Sequence, residues 1–236
     1  MNDIKIDIIK SGSSGNLYVI STKQGDALLV EAGDTIGAEY GDYDGCILSH
    51  EHKDHAKYVR EFLQRGIPCF MTEGTAEAIG YTHYWLNTVK YKEKVKIGNF
   101  IVSPFEVSHD AREPAGFLID INNNRILYAS DTSHIKYKFS GLNYIMLETN
   151  YDKETLKENY AEGLIDEEHK KRVIRSHMSL DVAKKFLERN DLSELKEIYL
   201  LHLSKHNSNQ EKIVQEVQGL TGVPVYHTIK EENHEN

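Results

Sequence analysis

Along the first half of the chain, short strand-like runs rich in apolar residues dominate, with polar and apolar residues alternating at the start. Runs at 4–9, 17–21, 27–31, 46–49, 68–71, 100–107, 117–121 and 126–129 predict strands. Turn signals separate them at Ser11-Gly12-Ser13-Ser14-Gly15, Lys23-Gln24-Gly25-Asp26 and Asn122-Asn123-Asn124. The last predicts a hairpin, because Asn tolerates positive φ. A different period intervenes at 55–64, where Ala56, Val59, Phe62 and Leu63 fall on one helical face. A shorter helix is predicted at 75–79.

The second half changes rhythm. Strands are predicted at 144–147, 198–203 and 223–226, and helices at 153–160 and 208–218. Ser179 has the chemistry of an N-cap for a helix running to Leu187. The charged stretch 166–175 predicts a solvated helix or loop. Many strands, some joined as antiparallel hairpins, with helices between them, predict an α/β fold of two packed sheets with helices outside.

Composition narrows the class. At 236 residues and 39% hydrophobic content, the chain can bury one sizeable core, so residues 1–236 are expected to form a single domain. Lys and Arg total 28 against 37 Asp and Glu, for a net charge of -9, which weighs against an extended nucleic-acid surface. Cys46 and Cys69 sit in apolar stretches and are expected to be buried thiols, not a disulfide framework. No signal-peptide pattern and no apolar run of membrane-spanning length is present, so a cytoplasmic protein with no membrane partner is expected.

The segment with the densest chemistry is Leu48-Ser49-His50-Glu51-His52-Lys53-Asp54-His55. It follows an apolar strand and precedes a helix, so its side chains are expected on a strand-to-helix loop, where they can converge. Imidazole nitrogen and carboxylate oxygen together suit Zn²⁺ and also Mn²⁺ or Fe. A lone histidine beside a strand is usually structural; His-x-His-x-Asp-His is far more specific.

This segment resembles the signature of the metallo-β-lactamase fold superfamily, whose architecture is a four-layer αββα sandwich. The resemblance continues in order along the chain. His109 in Val107-Ser108-His109-Asp110, Asp131 in Ala129-Ser130-Asp131-Thr132 and His202 in Leu200-Leu201-His202-Leu203 match the family's later ligand positions. It implies that His50, His52 and His109 hold one divalent cation, that Asp54, His55 and His202 hold the other, and that Asp131 bridges the two. Seven ligands exceed one tetrahedral Zn²⁺, and paired cations need a shared carboxylate. Glu31 departs from the family, which usually has Asp there as support for the ligands.

Four further segments are similar to the YycJ/WalJ-type hydrolases, a group described as nucleases acting on DNA ends and related to RNase Z. They are Lys10 to Asn16, Leu147-Glu148-Thr149-Asn150, Arg175-Ser176-His177-Met178-Ser179 and His202 to Asn207. The resemblance implies that Glu148 orients His177 and that His177 acts as general acid, with Asp54 orienting the nucleophile; the plain alternative is a strand-end acid and a helix-start histidine. A dinuclear phosphodiesterase with a nucleic-acid or small-nucleotide substrate is the expected enzyme. The leading form is a YycJ/WalJ-like nuclease. The alternative is a cyclic-nucleotide phosphodiesterase of the phage anti-Pycsar type, favoured by the acidic charge. A non-catalytic metal module and a carbon-ester hydrolase are weaker readings. A homodimer is compatible with family habit.

Ser13, Ser14 and Asn16 are read as either an anion cradle or an ordinary turn, and Ser204, Lys205 and Asn207 as phosphate contacts or a solvated loop. His83, His134, His169, His206, His227 and His234 match no ligand position and are expected to be structural or exposed. The aromatic cluster Tyr81-Thr82-His83-Tyr84-Trp85 is expected to pack in a core or a dimer before stacking on a base.

Overall fold

A computed structural model describes residues 3–37 and 42–227. His234 lies outside the described residues. The strands form two sheets whose spatial order follows the chain. The first contains β1 (Ile4–Lys10), β2 (Leu17–Thr22), β3 (Ala27–Val30), β4 (Gly45–Ile47), β5 (Cys69–Thr72) and β6 (Leu86–Val89). The second contains β7 (Val95–Ile97), β8 (Phe100–Glu106), β9 (Ala115–Ile121), β10 (Asn124–Ala129), β11 (Tyr144–Glu148), β12 (Glu197–Leu201) and β13 (Val225–His227). Each sheet starts antiparallel and turns parallel, from β3 in the first and from β10 in the second. The β9–β10 hairpin turns at Asn122 (φ 48°) and Asn123 (φ 58°), the paired positive φ values that Asn accepts.

Alternation along the strands builds the layers. In β10, Ile126 and Tyr128 face the core between the sheets with Tyr18, Leu28 and Phe117. Leu127 and Ala129 face outward against α6 (Leu180–Glu188) and α7 (Gln210–Thr221) through Ala183, Phe186, Ile213 and Val217. Phe62 and Leu63 of α2 (Val59–Gln64) cover the outer face of the first sheet, with α3 (Glu73–Ile79) beside them. This is the expected αββα arrangement. A side unit, α4 (Lys153–Ala161) and α5 (Glu167–Ser176), packs around Tyr151, Leu156 and Val173.

Two expectations need correction, and two short strands add to those expected. The 55–64 helix is two pieces, α1 (Lys53–Ala56) and α2, so Asp54 and His55 lie in a helical turn and only His50 and His52 on the loop. The break has a cause: Tyr58 N donates to Ala32 O and Ala32 N donates to His55 O, so the chain pairs with the segment after β3 instead of continuing its helix. The short strands β6 and β7 were not evident, since three or four residues containing Asn, Thr or Lys carry little periodicity. The Tyr81–Trp85 cluster is not a core: Tyr84 is 85% exposed, and only Tyr81 leans on the outer cluster. Segment 166–175 resolves to helix, capped where the Asp166 side chain accepts from His169 N. Cys46 and Cys69 are buried free thiols, paired in register across β4 and β5.

Candidate metal centre

The parallel halves of both sheets point their carboxyl ends to one rim, where ligands of open α/β sheets gather. Leu48 and Ser49 lead from β4 to His50; Asp131 follows β10, Glu148 ends β11 and His202 follows β12. Three residues at this rim adopt left-handed backbone conformations although none is glycine: Glu31 (φ 69°), Asp131 (φ 47°) and His202 (φ 54°). Such conformations cost about 1–3 kcal/mol each and persist only where surrounding structure enforces them. Here they turn each chain sharply out of its strand and put a buried acid or imidazole at the rim.

The seven expected side chains come together. His50, His52 and His109 form one group of converging ligand atoms; Asp54, His55, Asp131 and His202 form a second. In the first, His109 Nε2 lies 3.1 Å from His52 Nδ1. Asp131 joins the groups: its Oδ2 is 2.9 Å from His55 Nε2, 3.7 Å from His50 Nε2 and 3.9 Å from His109 Nε2, and its Oδ1 is 3.1 Å from His202 Nδ1. Asp54 Oδ2 lies 3.6 Å from His55 Nε2 and 3.7 Å from His202 Nε2.

The donors fit divalent cations. His50 Nε2, Asp131 Oδ1 and His202 Nε2 are buried polar atoms without a hydrogen-bond partner among the described residues. Buried polar groups are rarely left so, and these three belong to residues of the two converging groups. The His/Asp clusters are consistent with a binuclear metal site.

Electrostatics separates the two groups. Burial pushes His50 well below its ordinary pKa, and the neighbouring His55 adds to the effect, so its imidazole is a neutral donor. Burial also opposes protonation of His202, yet Asp131, Asp54 and Glu148 together outweigh it and the pKa is pushed up to about 10. His55 is held up in the same way by Asp131 and Glu31. Burial works to raise the carboxyl of Asp131, but His202 and His55 hold it well below the usual range.

Support for the ligands is dense. Ser49 Oγ lies 2.8 Å from His50 Nδ1. Glu31, fully buried, accepts from Tyr128 OH at 2.7 Å and from Ser49 N at 3.3 Å, and its Oε2 stands 3.4 Å from His55 Nδ1. The longer acid thus reaches both the His50 segment and His55. The Ser11–Asn16 turn divides its labour. Ser11 Oγ accepts from His202 N, and Asn16 Nδ2 lies 3.0 Å from His55 Nε2, while Ser13 and Ser14 are exposed. Gly33 permits the close approach: a Cβ there would lie 1.8 Å from Asp54 O. Asn150, which sequence reasoning quoted without a role, donates to His202 O at 2.7 Å and lies 3.2 Å from His202 Nδ1.

Beside the second group, Glu148 Oε1 lies 2.6 Å from His177 Nδ1, and Glu148 Oε2 accepts from Thr132 N at 2.8 Å and Met178 N at 3.3 Å. His177 Nδ1 is also 3.7 Å from Asp131 Oδ1. Burial would lower the pKa of His177; the Glu148 carboxylate raises it instead. His177 is the C-cap of α5, so its position depends on a helix that sequence left undecided. His134 is exposed, with its O accepting from Thr132 Oγ1, and His83, His169, His206 and His227 stay outside these groups.

A groove of about 790 Å³ opens from His177 and His202 along α5 and the loop after β12, and a smaller one of about 520 Å³ lies beyond His109. Among the described residues no helix is long and apolar enough to cross a membrane.

Comparison with known proteins agrees with this geometry. The family described as the β-lactamase superfamily domain matches residues 24–202. Exodeoxyribonuclease YycJ of Bacillus anthracis is 27% identical, covering 88% of this chain and 85% of its own length. Exodeoxyribonuclease WalJ of Streptococcus pneumoniae is 28% identical, covering 88% and 84%. In three dimensions, the metallo-β-lactamase fold protein YhfI of Bacillus subtilis superposes with a TM-score of 0.73 at 17% identity, over 96% of this chain and 97% of that one.

Proposed function

The chain belongs to the metallo-β-lactamase superfamily, and on that premise we propose that it is a dinuclear metal-dependent phosphodiesterase that cuts nucleotide phosphodiester bonds, in the manner of a YycJ/WalJ-like nuclease. The fold alone does not select this chemistry. The observation that carries it is the Glu148–His177 pair at 2.6 Å, set against Asp131 and His202, with His177 lining the larger groove. A metal-holding module has no use for a buried carboxylate that orients a partly exposed imidazole. An alkoxide leaving group does need a proton donor.

His50, His52 and His109 would hold one cation, Asp54, His55 and His202 the other, with Asp131 shared. Bound Zn²⁺ or Mn²⁺ would supply Lewis acidity toward phosphate oxygens and make a water acidic enough to ionise near neutral pH. Asp54, with its side chain 23% exposed, orients the attacking water. As the new P–O bond forms and the bond to the leaving oxygen breaks, His177 gives that oxygen its proton. Glu148 keeps His177 protonated and aimed, through the same contact that raises its pKa. Glu31, Ser49, Asn16 and Asn150 keep the imidazoles from turning.

The test is a substrate panel with the Zn²⁺- or Mn²⁺-loaded protein: linear duplex DNA, single-stranded DNA, RNA, cyclic mononucleotides, and a lactone as the carbon-ester control. Linear nucleic acid should be cut. Turnover confined to cyclic mononucleotides would move the reading to a small-nucleotide phosphodiesterase, and turnover confined to the lactone would end it.

A further inference from the structure

Some basic side chains of this acidic chain are tied to carboxylates, as in Lys10–Asp34, Arg125–Asp120, Lys153–Asp181 and Lys184–Glu216, and Arg112 and Lys136 of the smaller cavity beyond His109 pair with Glu77 and Glu106. The larger groove holds two that are not. Arg172 of α5 and Lys205 of the loop after β12 line it from separate elements, and neither forms an ion pair among the described residues. The one acid in its lining, Asp166, is committed to capping α5.

Position along α5 adds to this. Arg172 lies on α5, five residues before His177, the extended residue that ends the helix, and both line the groove. Leu164, 68% exposed, also lines the groove and offers an apolar surface where a base can lie.

We propose that Arg172 and Lys205 grip a second phosphate beyond the scissile one, so that this groove selects a single polynucleotide strand over a nucleotide with one phosphate. The assignment rests on the phosphodiesterase reading for its scissile phosphate, but binding in the groove is measurable without cleavage. Selectivity then comes from two unneutralised cations near the site, and the negative net charge elsewhere disfavours long tracks of duplex.

The decisive experiment uses fluorescein-labelled phosphorothioate hexathymidylate and hexauridylate, which resist cleavage, with the metal-loaded protein in fluorescence anisotropy. The double substitution Arg172→Ala/Lys205→Ala should weaken binding about 10–100-fold, as expected for loss of charge-assisted contacts. It should also reduce the slope of log affinity against log salt by about 1.4, two contacts on a single strand. Lys5→Ala/Lys23→Ala removes the same charge from the far strand β1 and the β2–β3 turn, and should change neither quantity by as much. In turnover, the double variant should lose kcat/KM on hexathymidylate relative to bis(p-nitrophenyl) phosphate by about 10–100-fold, with the loss in KM. Wild-type affinity and salt slope in the double variant overturn the assignment, whatever the chain cleaves. Equal losses in the two double variants overturn it too, because only bulk charge would then matter. Groove-dependent binding without cleavage of any diester upholds the groove and removes the phosphodiesterase reading.

Discussion

The two groups of ligands solve the same problem in opposite ways. His50, His52 and His109 are three imidazoles with no carboxylate of their own, and burial with neighbouring histidines lowers the pKa of His50 and His109. Asp54, His55, Asp131 and His202 mix two acids with two bases, and each base is held up by a neighbouring acid. The first group is therefore ready to donate lone pairs. The second must exchange a proton for a cation, and metal binding there should release protons. Asp131 belongs to both descriptions, which makes it the hinge of the comparison.

Removing that hinge should have the largest effect. Asp131→Ala should lose metal at both groups and reduce turnover below detection while far-UV circular dichroism stays native. Turnover by a metal-free Asp131→Ala protein would refute the ligand assignment. Next, His177→Ala should lower kcat about 10²–10⁴-fold with the metal content, by elemental analysis, unchanged. A matching loss of metal would mean that His177 belongs to the second group as a ligand.

The pH profile sharpens the same point. His177 acts while protonated, so the rate falls as pH rises through its pKa, which Glu148 raises. Glu148→Gln removes that charge, lowers the pKa of His177, and should start the alkaline decline of kcat at lower pH. An unmoved decline would assign it to another group.

The smallest effects distinguish the groups from each other. Ser49→Ala loosens His50, and Asn150→Ala loosens His202. Each should weaken metal binding about 10–100-fold, and in a two-step titration each should move a different step. If both variants move the same step, the two groups are one coupled site.

Legibility differed within each group. Four of the seven side chains, His50 and His52 of the first group and Asp54 and His55 of the second, come from one six-residue window, and a spacing that dense reads directly from sequence. Asp131 and His202 are single residues at strand ends, legible only by resemblance. Their decisive property is a left-handed backbone, which residue type does not announce. The αββα layering followed from alternation and helical spacing, while β6 and β7 were too short to show a period. Helix 55–64 was broken by pairing with Ala32, a contact outside its own sequence window.

What the sequence determined by itself was the set of donors and the layers that carry them, because periodicity and ligand spacing are local properties of the chain. Only the tertiary structure decided that Glu31 reaches both Ser49 and His55, that Asn150 braces His202, and that Arg172 and Lys205 share one groove with no ion pair among the described residues. These are facts about side chains far apart in sequence. They arise when the parallel ends of two sheets share a rim, and no window of the chain contains them.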